Sequence, residues 1–273
     1  MPDSEIVQFS AVNKGAARYA LLLDCLANQY PEMVSLAEIA RRTDLPKATA
    51  FRLMKALQEV GFVAYDSTYE AYLFGGRMME LGAKALGQNF AVLVRPSLQR
   101  IANDTGDTAF GVLAQNDHMQ CLLRFTGSYP VRTLSLDEGD IWPLGIGAVG
   151  MALLAANDDA YVDGYIERCQ PLVNRYAPIS AAELKDRVRR TREQGYAVSD
   201  GDLLDGMSAL GMAIHFPGTV RPIGAISVAA ISSRLIGDRK AEVVEQLRRE
   251  VDLINQTARA QQFSYGKKLN DAD

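Results

Sequence analysis

Apolar residues recur at three- and four-residue spacing through the first ninety positions, and shorter alternating runs dominate afterwards. The first periodic stretch, residues 13–28, predicts a helix burying Ala17, Ala20, Leu21 and Leu23, with Lys14 and Arg18 at its exposed start. Ser35 followed by Glu38 forms a capping box, so a second helix is expected from Leu36, with Leu36, Ile39 and Ala40 on its inner face. Thr43, Asp44 and Leu45 precede Pro46, and the residue before a proline is pushed out of helical geometry. A third helix starts near Pro46, with Leu53, Met54, Leu57 and Val60 turned inward. Gly61 then leads into an apolar run at 62–65, a polar turn at Asp66, Ser67 and Thr68, and an alternating run at 69–74, which together read as a hairpin.

Two short helices closed by a hairpin describe a winged helix-turn-helix. The inward stripe of its third helix leaves Lys47, Ala48, Thr49, Phe51 and Arg52 near the helix start, where a recognition helix meets base edges. Residues 41–55 hold Arg41, Arg42, Lys47, Arg52 and Lys55 against Asp44 alone, although the whole chain carries a formal charge of −4. A solvated helix face accounts for such charge as readily as DNA does. The hairpin after it favours DNA. Arg41, Arg42, Lys47 and Lys55 are then expected at phosphates, and Thr49 and Arg52 at bases in the major groove.

Residues 77–90 continue as a helix with Met78, Leu81 and Ala85 on one face. This helix either pairs with another subunit or packs on its own chain. Past residue 93 the pattern is mixed. Helices are expected at 98–104, 148–156, 158–169 and 181–194, the last capped by Gly195, and strands at 108–114, 119–125, 131–136, 196–198, 208–215 and 223–230. A closing helix at 238–263 carries the stripe Val244, Leu247, Val251, Ile254 and Ala258. One antiparallel sheet with helices against it makes this part α+β.

At 273 residues and 48% hydrophobic, the chain has room for two cores. Its acidic start and lack of a long apolar run give no reason to expect a signal peptide or a membrane partner, which points to the cytoplasm. Cys25, Cys121 and Cys169 are odd in number and lack metal-ligand spacing, so they read as reduced, mostly structural thiols.

The run LAEIARRTDLPKATAFRLMKALQEVGFV, the wing, Leu81 with Gly82, the helix at 77–86, and the runs at 195–198 and 224–228 together resemble the IclR-type bacterial transcriptional regulators. The resemblance covers the chain past residue 12. It implies a winged helix-turn-helix DNA-binding domain at 12–75, a linker helix at 76–91 and a GAF-like effector-binding domain at 92–265, between a disordered N-terminus at 1–11 and a disordered tail at 266–273. It further implies a homodimer or homotetramer on double-stranded DNA, at a near-palindromic operator, answering to a small organic acid. No cofactor, metal or catalytic residue is implied.

Some residues invite other readings. Gly145, Gly147 and Gly150 match the glycine fingerprint of nucleotide-binding enzymes, but Trp142 and Pro143 precede them where a buried strand should stand, and Glu167 falls in a helix. A helix start lined by small residues, able to face an anion, fits better. His118 and His215 have no nucleophile motif beside them. Asp200, Asp202 and Asp205 fit a turn-rich loop better than a metal site. A winged helix used only for protein contacts is the remaining alternative.

The resemblance places Trp142, Leu144, Ala148 and Val149 on one wall of the effector pocket, Ser199 and Asp200 in a covering loop, and Ala209 and Ser227 on two strands. The chain departs from the family pattern at Gly145 and Ala209, where bulkier or more polar residues are frequent. A larger, drier cavity is expected from this, suited to an aromatic or otherwise larger organic acid rather than glyoxylate.

Overall fold

Helix α1 (Lys14–Ala27) is the first element of the computed structural model, which describes residues 14–132, 135–216 and 219–270. The expected disordered N-terminus, 1–11, lies outside the described residues. The chain divides into two compact units, one comprising the residues up to Leu86 together with those from Gln262 onward, the other spanning Gly87–Gln261.

In the first unit, α1 is followed by strand β1 (Val34–Ser35), helices α2 (Leu36–Thr43) and α3 (Lys47–Glu59), and strands β2 (Val63–Asp66) and β3 (Ala71–Phe74). The three strands form an antiparallel sheet in the order β1-β3-β2, so the wing has a third strand that two residues were too short to announce. Asp66 closes the hairpin by accepting the amides of Thr68 and Tyr69 at 2.8 and 3.1 Å. Leu22, Leu26, Ile39, Ala50, Met54, Leu57, Val63 and Tyr72 make the core.

Two expectations about these helices need correction. Helix α1 buries Leu22, Cys25 and Leu26, while Ala17, Ala20, Leu21 and Leu23 are only half-buried. Three consecutive leucines offer an apolar residue to any of three faces, so periodicity left the rotation open. Val60 is 59% exposed, because it caps α3 instead of continuing its stripe.

Helix α4 (Gly76–Thr105) runs unbroken through Pro96 and joins the two expected helices at 77–90 and 98–104. The proline lacks the amide that would serve the Val92 carbonyl one turn earlier. Val92 is 68% exposed, so water is available to that carbonyl and the helix tolerates the loss.

Strands β4 (Thr108–Gln115), β5 (His118–Thr126), β6 (Ile141–Pro143), β7 (Ala197–Asp200), β8 (Met207–Ile214) and β9 (Gly224–Ile231) form one sheet in the order β6-β5-β4-β9-β8-β7, every pair antiparallel. The strand expected at 131–136 is absent among its described residues, and β6 takes the place beside β5 instead. Pro143 is tolerated there because β6 is an edge strand.

Helices α5 (Gly147–Ala155), α6 (Asp159–Val173) and α7 (Ala181–Gln194) follow β6, and α8 (Gly237–Asn270) closes the chain. Glycines mark where helices approach the sheet. A Cβ on Gly211 of β8 would stand 2.8 Å from the Ala148 backbone of α5, and one on Gly111 of β4 would stand 2.8 Å from Leu98 of α4. Arg100 of α4 also pairs with Glu250 of α8 at 2.6 Å. Helix α8 extends through 266–270, into the expected tail, and 271–273 lie outside the described residues.

Candidate DNA interface and ligand cavity

The Ser35 hydroxyl accepts the Glu38 amide at 3.3 Å, which supplies one half of the expected capping box. The other half is missing: the Glu38 carboxylate turns to Arg41 and Arg42. Oε2 accepts Arg41 Nε at 2.8 Å, and Oε1 accepts both Arg41 Nη2 at 2.6 Å and Arg42 Nε at 2.5 Å. These bonds, Arg41's first and then Arg42's, hold the carboxyl at about 2, far below its ordinary range. Ser35 sits in strand β1 opposite Ala71, so its backbone belongs to the sheet.

Helix α2 ends at Thr43, and Asp44 adopts φ 51°, a left-handed conformation that turns the chain toward α3. The helix thus stops ahead of Leu45 and Pro46. Pro46 precedes α3 as an N-cap with no side-chain bond, which leaves the first amides of α3 uncapped from within. Lys47, Ala48, Phe51, Arg52 and Lys55 are exposed and Thr49 is half-buried, while Ala50, Met54 and Leu57 are buried behind them. No carboxylate lies within 4.0 Å of Lys47, Arg52 or Lys55 among the described residues, in contrast to Arg41 and Arg42. Phe51, 49% exposed, stands between these cations as the one large apolar side chain on the face.

In the second unit a cavity of about 40 Å³ lies between the start of α5 and the sheet. Of the eight expected pocket residues, Trp142, Ala148, Val149, Ser199, Ala209 and Ser227 line it; Leu144 and Asp200 do not. Leu144 is 2% exposed in the core, and its carbonyl accepts the Tyr165 hydroxyl at 2.7 Å. Ser199 and Asp200 are neighbours on β7 and face opposite sides of it. Asp200 is exposed and accepts the hydroxyls of Ser208 and Ser232, which lower its pKa in that order.

Gly145 does not enlarge the cavity either. A Cβ there would meet Leu184 and Leu154 at 3.2 and 3.3 Å, so the absent side chain would point toward packed helices. Its φ of 81° makes it a turn residue. The expectation of a larger cavity is corrected accordingly: the enclosed space is about 40 Å³, with Leu136, Ile146 and Leu203 among its walls. Phe110 and Met119 also line it; the alternation of β5 could have found Met119, whereas β4 is buried without a break from Thr108 to Leu113 and Leu203 lies in a loop with no periodic signal.

The glycine run opens α5 after an antiparallel edge strand rather than a buried parallel one, and Glu167 is exposed on α6, so the geometry of a nucleotide crevice is absent. His215 is exposed and His118 half-buried. Among the described residues, no group of three or more His, Cys, Asp or Glu side chains converges as a metal site. Burial pushes the Cys121 thiol up to about 12. No helix of the described residues is long and apolar enough to cross a membrane.

A helix pair with a wing, followed by a domain built on a six-stranded antiparallel sheet, defines the class of winged helix-turn-helix proteins that carry a second α+β domain. Residues 15–67 match the IclR helix-turn-helix domain and residues 76–256 match the bacterial transcriptional regulator IclR C-terminal domain, so the chain belongs to the IclR family of transcriptional regulators. It is similar to the acetate operon repressor of Salmonella typhimurium, 26% identical over 77% of each chain, and to the transcriptional repressor IclR of Escherichia coli, 27% identical over 77% of each. Members of the family are regulators rather than enzymes. Among solved structures, an IclR-family regulator from a Rhodococcus species shares the fold at a TM-score of 0.69 and 22% identity, over 92% of this chain and 97% of that one. A Microbacterium hydrocarbonoxydans homologue complexed with 4-hydroxybenzoate shares it at 0.56 and 19%, over 90% and 99%.

Proposed function

We propose that this protein is a cytoplasmic repressor that binds a near-palindromic operator as a homodimer or homotetramer and is released or retained by a small organic acid. The observation carrying the DNA contact is the set of cations Lys47, Arg52 and Lys55 on the exposed face of α3, none of which has a carboxylate within 4.0 Å among the described residues. Lys47 and Lys55 serve phosphates, together with Arg41 and Arg42, while Thr49 and Arg52 read base edges with Ala48 and Phe51 beside them. One recognition helix covers only a few base pairs, so useful affinity requires two related by a symmetry axis. The early part of α4 suits the pairing: Met79 and Leu81 are exposed on it in the single chain.

For the ligand, support comes from the cavity at α5. Ile146 caps α5 without a side-chain bond, so the amides of Gly147, Ala148 and Val149 are free to meet a carboxylate. Walls of Phe110, Leu136, Trp142 and Leu203 favour an aromatic body, and Ser199 and Ser227 supply hydroxyls. The neighbour bound to 4-hydroxybenzoate points the same way. Leu203, in the loop between β7 and β8, must move for such an acid to enter so small a space. An effector favouring one arrangement of the paired DNA-binding domains then shifts operator occupancy.

Calorimetric titration with 4-hydroxybenzoate, benzoate, glyoxylate and pyruvate in parallel tests the ligand class. Binding of the aromatic acids supports it, and tight binding of the short acids alone overturns it. Selection of bound fragments from the source genome, read by mobility shift, tests the operator and its symmetry.

A further inference from the structure

Glu38 holds two of the five cations of the DNA-facing segment. Its oxygens accept three hydrogen bonds, two from Arg41 and one from Arg42, at 2.5–2.8 Å. Oε1 is shared between both guanidinium groups, so the trio carries one net positive charge where sequence suggests two. Arg41 remains 69% exposed at its side chain and Arg42 38%. Both are therefore reachable by a phosphate, which first has to displace a carboxylate already in place.

The first helix of a helix-turn-helix crosses the phosphate backbone, and Arg41 and Arg42 sit in its last turn. Exposed ion pairs are weakly held, so a well-registered phosphate can take over a guanidinium. A loosely docked duplex, with its phosphates further away, cannot repay the exchange and meets the Glu38 charge as repulsion. Lys47, Arg52 and Lys55 have no such restraint among the described residues. Resting on the DNA interface proposed above, we infer that Glu38 is a positioning residue that withholds Arg41 and Arg42 from phosphates in non-specific complexes. It thereby widens the gap between operator and bulk DNA.

Fluorescence anisotropy of the full-length protein on a labelled non-operator duplex and on a selected genomic fragment, over a salt series, tests this. Glu38→Gln is expected to tighten non-operator binding by about five- to tenfold and to steepen its log–log salt slope by about one to two, as one or two more phosphates are neutralised. The operator should gain less, so the specificity ratio falls. Asp44→Asn removes another exposed carboxylate of the same segment and should give a smaller gain. In a background of Arg41→Ala with Arg42→Ala, the gain from Glu38→Gln should vanish, because the carboxylate acts through those side chains. Glu38→Ala repeats the test by a second route, since the Ser35 cap uses only the Glu38 amide. An unchanged slope, a gain matched by Asp44→Asn, or a gain that survives without the arginines overturns the inference. Failure of the interface itself looks different: Lys47→Ala and Arg52→Ala would then leave wild-type binding untouched.

Discussion

The hydroxyl of Tyr165 donates a 2.7 Å hydrogen bond to the carbonyl of Leu144, tying α6 to the segment that leads into α5. Both residues are buried, and burial pushes the phenol well above its ordinary pKa, so it donates at every working pH. The bond holds the turn through Gly145 and Ile146 that aims the start of α5 at the cavity. Tyr165→Phe leaves that carbonyl without its partner and should cost about 1–3 kcal/mol of stability, read as a lower urea midpoint with unchanged slope. An unchanged midpoint would show that the segment is held by other contacts.

Gly211→Ala probes how closely α5 lies on β8. The new methyl would stand 2.8 Å from the Ala148 carbonyl carbon and oxygen, which are backbone and cannot swing aside. A loss of about 1–3 kcal/mol is expected, together with weaker ligand binding, because Ala148 lines the cavity. Thermal melts and calorimetry on the same variant check both.

Much of this was readable beforehand, and the failures have physical causes. The basic face of α3 was legible because Leu53, Met54 and Leu57 of its inward stripe repeat at helical spacing, and Met54 and Leu57 are buried; Ala50, buried with them, carries too little apolar surface to stand out in the sequence. The order of strands and helices past residue 107 was largely legible, since Gly195 and the Asn116 turn punctuate it. Rotation of α1 was not, because Leu21, Leu22 and Leu23 are chemically equivalent. The resemblance puts Asp200 in a loop over the pocket, yet it lies on β7, and a strand sends neighbours to opposite faces. Gly145 suggested empty space, and its missing side chain instead faces Leu184 and Leu154. The partners chosen by Glu38, Arg41 and Arg42, lie three and four residues along the same helix, a spacing that competes with the capping box for the carboxylate.

Titration of Glu38 should follow its contacts. Its folded pKa lies near 2, below the ordinary 4.5, so the stabilisation it lends to α2 is fully present above about pH 4.5 and is lost as pH falls through 2. Carboxyl carbon NMR should show Glu38 still ionised at pH 3, well below the ordinary value of 4.5. A midpoint near 4.5 would mean that the contacts with Arg41 and Arg42 do not persist in solution.

Arg52 and Lys55 should differ in kind. Arg52→Ala is expected to lose about 1–3 kcal/mol on operator DNA and to relax the sequence preference, while Lys55→Ala weakens every duplex alike and lowers the salt slope by about one. Competition against randomised duplexes separates the two. Identical behaviour of both variants would remove Arg52 from the base-reading set.

Salt-dependent DNA binding by the purified protein tests the central claim most directly. Compared across a salt series by mobility shift, wild type should bind genomic fragments with affinity falling linearly on a log–log plot, and the Lys47→Ala, Arg52→Ala, Lys55→Ala triple variant should bind far more weakly with a shallower slope. A triple variant that binds as wild type does, or a wild type that ignores every duplex at low salt, would contradict the account.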